Sequence, residues 1–279
     1  MRAGRVAVLL ALPAISLIAL VAVPLGLLIR ISLAPSDPIE IWSAGWSLAA
    51  YERLLDASFA RALCHSLAIA AVVAVISVAV SLPLAYLIAR MRRRAQVAWL
   101  VFLLCTLTLS DVLIAFAWQL MLSRRVGLSQ ILVWAGLLDQ PQSWAPSTGA
   151  MLCSLIYVVL PFTAVTLYPV MSRIDPSLLE AARTMRMAPL RAFLSVVVPL
   201  ARPGLTVAFL VSFVLTLGAY VSPVMLGRPQ NWTLAVTINH TALAGHDVPA
   251  AAAMSVCLLG VLAVALAAWR GAARKGSPA

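Results

Sequence analysis

"PSLLEAARTMRMAPLRAFLSVVVPLARPGL", residues 176–205, places Glu180, Arg183, Arg186, Arg191 and Arg202 in a chain that is 63% hydrophobic and 10% charged. A soluble domain carries about 25% charged residues, so a charged insert here asks for a reason. Asp175 followed by Pro176 suits an N-cap with proline at the first helical position. Ser177 with Glu180 fits the alternative S-x-x-E capping box, and either device starts a helix. That helix is expected to run through "LLEAARTMRM" and to stop before Pro189, because proline disfavours helix at the residue ahead of it. Pro189 then opens a second helix, "PLRAFLSVVV", expected to end before Pro199. Arg202, Pro203 and Gly204 mark the return to apolar chain, so the expected pattern is helix, break, helix, break. On the first helix Leu178, Ala181, Ala182 and Met185 are small or apolar, and Glu180, Arg183 and Thr184 make a more polar side. Such a helix either docks on a soluble partner or lies among anionic headgroups. Headgroup contact explains the arginines, but not Glu180, the alanine pair or the repeated breaks.

The flanks decide the solvent. With 279 residues and a mean hydropathy of +1.02, the chain cannot cover itself with polar groups, so lipid is its solvent. Apolar runs of about 20 residues span a hydrocarbon core. Six are present, at about 6–29, 62–89, 98–122, 149–171, 204–226 and 251–269. They lack strand alternation, and only helices or closed barrels satisfy the backbone in lipid, so all six are expected to be helices. The first run resembles a signal peptide in its flanking Arg2 and Arg5. It runs on to Arg30 with no small-x-small site before the polar loop, so a retained anchor is expected.

Fourteen of the twenty cations fall in the N-terminus, the 90–97 turn, the 172–203 loop and the C-terminal tail. The other six are Arg30, Arg53, Arg61, Arg124, Arg125 and Arg228. The positive-inside rule then makes the first group cytoplasmic, with both termini and the 172–203 loop inside. The same clustering between apolar runs argues against nucleic acid as the partner of a chain with net charge +11.

Among the outer loops, residues 30–61 carry Pro35, Pro38, Trp42 and Trp46, the tryptophans being expected at the membrane interface. "VGLSQILVWAGLLDQ" has helical spacing but is too short to span, and is expected to lie along the outer surface. Residues 227–250 form a third outer loop. Cys64, Cys105, Cys153 and Cys257 read as small packing residues. Neither they nor His65, His240 and His246 have metal-ligand spacing, so no metal is expected. No internal repeat or low-complexity segment interrupts the chain, and residues 1–279 are expected to form one transmembrane domain.

"EAARTMRMAPLRAFLSVVVPLARPGL" resembles the EAA loop of ABC importer permeases, the inner-membrane subunits of binding-protein-dependent transport systems. The match lies at Glu180, Ala181, Ala182, Pro189, Val198 and Pro199. The sequence departs at Arg186, where the family usually has glycine, which leaves the turn between the two short helices open. Within the family, "LGAYVSPVMLG" (Leu217–Gly227), "DVPAAAAMSV" and "FAWQLMLSRRVGLSQIL" look most like polyamine-type (spermidine/putrescine) permeases. The resemblance implies an all-α integral membrane protein of six transmembrane helices, the type I ABC importer permease fold, with cytoplasmic coupling helices between spans four and five. It implies a coupling role for Glu180, Ala181, Ala182, Arg183, Arg186 and Pro189. Glu180 would anchor the coupling helix, and Ala181 and Ala182 would permit a close fit on a cytoplasmic ATPase. It also implies a periplasmic solute-binding protein and a second permease subunit, the polyamine type favouring a different chain. The only lysine is Lys275, so no G-x-x-x-x-G-K loop exists. ATP must therefore be bound by a partner subunit, and this chain is expected to be no enzyme and to need no cofactor of its own.

For the solute, Asp111 is the one formally charged residue inside the six runs, near the middle of the third. A carboxylate in hydrocarbon costs at least about 2.5 kcal/mol, so it should face the protein interior. It either attracts a cationic solute or makes a structural hydrogen bond. Gln119, Trp118, Tyr157 and Tyr220 are further pathway candidates, and the faces of the three aromatics attract amines. Tyr220 leads the aromatics, lying beside Gly218 and ahead of Pro223, where a helix opens readily. Aromatics near span ends also serve as interfacial belts. A proton-coupled secondary transporter using Asp111 is the alternative function, but it leaves the EAA-like loop without a role. An intramembrane enzyme would need a catalytic pair at membrane depth, and no second aspartate lies within the six runs and no G-x-S-x-G appears in the sequence.

Overall fold

The computed structural model describes residues 2–37, 43 and 45–275, with side chains described throughout except at 2–14, 183 and 268–275. Pro38 and Trp42 lie outside the described residues. The chain is helical, with α1 (Arg2–Ser32), α2 (Ala49–Glu52), α3 (Ala57–Arg90), α4 (Arg93–Leu107), α5 (Asp111–Met121), α6 (Leu128–Trp134) and α7 (Thr148–Arg173) in its first part. Then come α8 (Pro176–Thr184), α9 (Pro189–Ala192), a π-helical turn (Phe193–Val197), α10 (Val198–Leu217), α11 (Val221–Leu226), α12 (Leu234–Leu243) and α13 (Val248–Lys275). No strand occurs among the described residues.

Among the described residues, five helical stretches are long and apolar enough to cross a membrane: Ile15–Ser32, Ala57–Arg90, Thr148–Arg173, Pro189–Leu217 and Val248–Ala267. The third expected span, 98–122, is not one rod. It is α4 followed by α5, bent by 92° across residues 108–110. Thr108 and Ser110 flank Leu109 there, and hydroxyls that bond back to the chain compete with the helical ladder. Thr108 Oγ1 donates to the Cys105 carbonyl at 2.8 Å. The fifth expected span is also broken. Its α10 ends at Leu217, and α11 begins only after Gly218–Tyr220.

The chain forms two compact units, residues 1–63 with 237–279, and residues 64–236. In the first, α1 packs against α13. Ser32 Oγ and Tyr51 Oη lie 2.8 Å apart, and the Arg30 guanidinium stands 4.5 Å over the ring of Trp46, an exposed tryptophan whose face it shields. Asp247 accepts from Ser36 Oγ, from the Ala250 amide at the start of α13 and from Arg53, with which it forms an ion pair. The apolar stretch of α1 is only 6% buried, so nearly all of it is left to hydrocarbon.

In the second unit α7 is the hub, half of its apolar stretch being buried, with α4, α5, α10 and α11 against it. Small and hydroxyl residues make the contacts close, as lipid-embedded packing requires. Thr163 and Ser212 bond across α7 and α10 at 2.7 Å, and Ser154 and Ser222 bond across α7 and α11 at 2.9 Å. Gly204 on α10 lies directly on Val170 of α7. A helix in the expected 123–148 loop is present as α6, and a further helix not expected from the sequence, α12, lies inside the expected 227–250 loop.

Candidate functional site

The helix starting at Pro176 begins as its sequence requires. Asp175 Oδ1 accepts the Ser177 amide at 2.9 Å, so Asp175 is the cap in use. Hydrogen bonds from the Ser177 backbone and side chain hold the Asp175 carboxyl below the usual carboxylate range, and the nearby Arg90 charge adds to this. A lowered value means that the cap is at full strength above the ordinary carboxylate range and is lost as pH falls through the lowered value.

The helix ends earlier than expected, at Thr184, well before Pro189. Arg186 is the cause. It adopts φ +61°, the left-handed region, and the Met187 amide donates back to the Ala182 carbonyl at 3.3 Å. This six-to-one closure with a left-handed residue in between is a Schellman cap. Arg186 thus occupies the very conformation that glycine would supply, at a steric cost that glycine avoids. Arg186→Gly is therefore expected to stabilise the turn by about 1 kcal/mol, and to slow hydrogen exchange of the Met187 amide about fivefold. Equal or faster exchange would show that the turn is not strained.

The second expected break is absent. Pro189–Leu217 is helical throughout. The π turn shifts the hydrogen-bond register, with the Val198 amide bonding to Phe193 O, so that Pro199 falls in the first turn of α10, where its missing amide is tolerated.

Of the coupling candidates, Ala182 turns inward with Leu179, both packing on a core of Leu82, Ala85, Leu167 and Met171. Glu180, Ala181, Arg186 and Pro189 are exposed. The Arg183 side chain lies outside the described residues. Leu178, Met185 and Leu190 join the exposed set at 45%, 78% and 69% exposure. The alanine pair is thus divided, Ala182 serving the chain's own core and Ala181 the open face.

The pathway candidates are also sorted. Asp111 is the first residue of α5, directly after the bend, and not at mid-helix as expected. Its side chain is exposed and not turned into the packed interior as expected, and a helix N-terminus favours a carboxylate by roughly 0.3–1 kcal/mol. Asp111 and Tyr220 line one cleft of about 660 Å³, walled by Leu155, Val159 and Phe162 of α7. The α4–α5 and α10–α11 breaks both open onto it, and α5 packs on α11. Tyr157 lies in a neighbouring apolar cleft of about 420 Å³ with Trp118 and Leu113, its ring 6.3 Å from that of Trp118. Gln119 is exposed and lines neither cleft.

Comparison with known proteins agrees with the helical membrane fold. Residues 81–272 match the family model described as binding-protein-dependent transport system inner membrane component. The spermidine/putrescine transport system permease protein PotB of Escherichia coli K12 is 26% identical over 255 residues, 91% of this chain and 93% of the relative. The molybdenum transport system permease protein ModB of Azotobacter vinelandii is 30% identical over 162 residues, 58% of this chain and 70% of the relative. In fold, the chain is similar to a bacterial ABC transporter involved in import of the acidic polysaccharide alginate, with a TM-score of 0.76 at 16% identity over 99% of this chain and 98% of that one. A second structure of an alginate ABC transporter, in complex with alginate pentasaccharide-bound periplasmic protein, gives 0.71 at 16% identity over 94% and 92%. The apolar helices and the family match make this a multi-pass protein of the inner membrane. The chain belongs to the binding-protein-dependent transport system inner membrane components, the permease subunits of ABC importers.

Proposed function

We propose that this permease passes a small cationic solute of the polyamine class, handed to it by a periplasmic binding protein and driven by cytoplasmic ABC ATPase subunits that grip residues 176–192. The observation that carries the solute class is the cleft at the two helix breaks, whose one charged lining residue is the carboxylate of Asp111. Tyr220 adds an aromatic ring to the same wall, and an ammonium group is attracted by both. The PotB relatives, named for spermidine and putrescine, support this reading. ModB, named for molybdenum, shows why family alone does not choose the solute and why the lining residues must.

Residues 1–279 act as one transmembrane permease domain in this reading, with both termini and the 172–203 loop in the cytoplasm, as the excess of arginine there requires. A second permease, a different chain, completes the pathway. ATP is held by the partner ATPase, and the chain itself needs neither cofactor nor metal. A carrier driven by protons through Asp111 alone would leave the exposed face of α8 unused.

In the reconstituted transporter, Asp111→Asn is expected to lower uptake of labelled spermidine roughly tenfold, the loss of one charge-assisted contact. Uptake equal to that of the parent chain would make Asp111 a helix-terminal residue and nothing more. Screening the partner binding protein against spermidine, putrescine and molybdate tests the solute class separately.

A further inference from the structure

We infer that Arg90 and Tyr86 of α3 form a strut tying both hinges of the 176–192 segment to that helix, so that a pull on the segment moves α3 together with α7 and α10. This rests on the reading of 176–192 as the coupling segment.

The first hinge is Ile174, the extended residue between α7 and α8. Arg90 Nη2 donates to its carbonyl at 2.6 Å, one of the carbonyls that the end of α7 leaves without an intrahelical partner. The second hinge is the π turn, which begins at Phe193. The ring of Tyr86 meets that of Phe193 edge-on, with centroids 5.2 Å apart at 72°. One helical turn links the two contacts along α3, and the Arg90 guanidinium stands 5.3 Å over the Tyr86 ring. Tyr86, Ile174 and Phe193 pack on the same core that takes Leu179 and Ala182 of α8.

An arginine at a helix end normally extends toward water or headgroups. Arg90 instead turns inward and is half-buried, its Nε enclosed without a hydrogen-bond partner. Enclosing that donor costs free energy that a position-neutral arginine would avoid. A segment held at one end swings about it, whereas one held at both ends moves as a body with the helix that holds it. The Ile174 and Phe193 contacts supply the two ends.

The test uses the full transporter, with spin labels at Leu87→Cys on α3 and Val207→Cys on α10 in a chain cleared of its native cysteines. The change in label separation between nucleotide-free and ATP–vanadate-trapped states is read. Because the strut carries α3 along with α10, that change is expected to be small in the parent, and Arg90→Gln and Tyr86→Leu are each expected to enlarge it at least about twofold, while ATPase co-purification and basal hydrolysis stay within about twofold of the parent. Arg90→Lys keeps a donor for Ile174 but not the planar stack, and is expected to fall between. A change in both Arg90→Gln and Tyr86→Leu no larger than that of the parent overturns the strut and leaves docking intact. Failure of the parent chain to co-purify with the ATPase overturns the docking reading and the strut with it. Should Arg90→Gln fail to insert, Tyr86→Leu, which leaves the Arg90–Ile174 bond in place, decides alone.

Discussion

Replacing Ala181 with glutamate is expected to cut binding-protein-stimulated ATP hydrolysis by the assembled transporter at least about tenfold, with the chain still inserted in the membrane. Ala181 is exposed and contributes nothing to the core beneath α8, where Leu179 and Ala182 pack. A charge at 181 therefore costs the isolated chain little. Leu178, Met185 and Leu190 are exposed on the same segment, and docking of that segment on an ATPase would seal residue 181 away from water. A charge sealed there without a partner costs several kcal/mol, and each 1.4 kcal/mol is a factor of ten. Glu180→Ala, which trims an exposed neighbour of Ala181 without adding a charge, is expected to lower stimulated hydrolysis by a smaller factor, about threefold. Ala182→Glu is the internal comparison. It strikes the chain's own core and should lower the yield of inserted protein, which Ala181→Glu does not. Stimulated hydrolysis and ATPase co-purification unchanged in Ala181→Glu would mean that α8 meets lipid only.

The signals that were legible are those the chain carries locally. Length and apolarity placed the helices of the membrane, since the cost of unpaired backbone in hydrocarbon leaves no other choice. Asp175 and Pro189 announced the starts of α8 and α9 because capping chemistry needs specific residues at specific places. The end of α8 was not legible. Arg186 takes a left-handed conformation that its identity disfavours, and the closure to Ala182 is maintained by packing of Met187 on the core. The uninterrupted run through Pro199 was hidden for a related reason, because a π turn is a tertiary accommodation with no sequence signature of its own. The bend at residues 108–110 was hidden because hydropathy averaged along the run does not distinguish a straight span from two halves, even though Thr106, Thr108, Ser110 and Asp111 interrupt the apolar residues there. That bend matters most for function. It moves Asp111 from mid-helix to a helix start, and brings it to the same cleft as Tyr220. Of the residues in the coupling segment, composition marked the alanine pair but not its division, which follows from the direction in which α8 lies on its core.

Gly204→Leu is expected to abolish stable packing of the second unit, and Gly204→Ala to destabilise it by about 1–3 kcal/mol, the usual range for overpacking. A Cβ at 204 would lie 2.6 Å and 2.9 Å from the two γ-methyls of Val170 and 3.0 Å from its Cβ. Valine is branched at Cβ and cannot swing its methyls aside without leaving its preferred rotamer. The helices must then part, and parting them pulls on Thr163–Ser212, the hydroxyl pair that joins α7 to α10 further along. In water such a gap would be closed by the hydrophobic effect, but lipid tails are as apolar as the side chains and fill it at no gain to the protein. The expected result is a lower thermal midpoint in detergent for Gly204→Ala, and rapid proteolysis of Gly204→Leu in the membrane. Val170→Ala removes the two nearest atoms, so Gly204→Ala with Val170→Ala should recover most of the lost stability. A Gly204→Ala midpoint equal to that of the parent would mean that α7 and α10 do not touch at this crossing. With both helices leading directly into the hinges of the 176–192 segment, a loosened crossing should also weaken coupling. Gly204→Ala is therefore expected to lower stimulated hydrolysis even at temperatures where the chain stays folded.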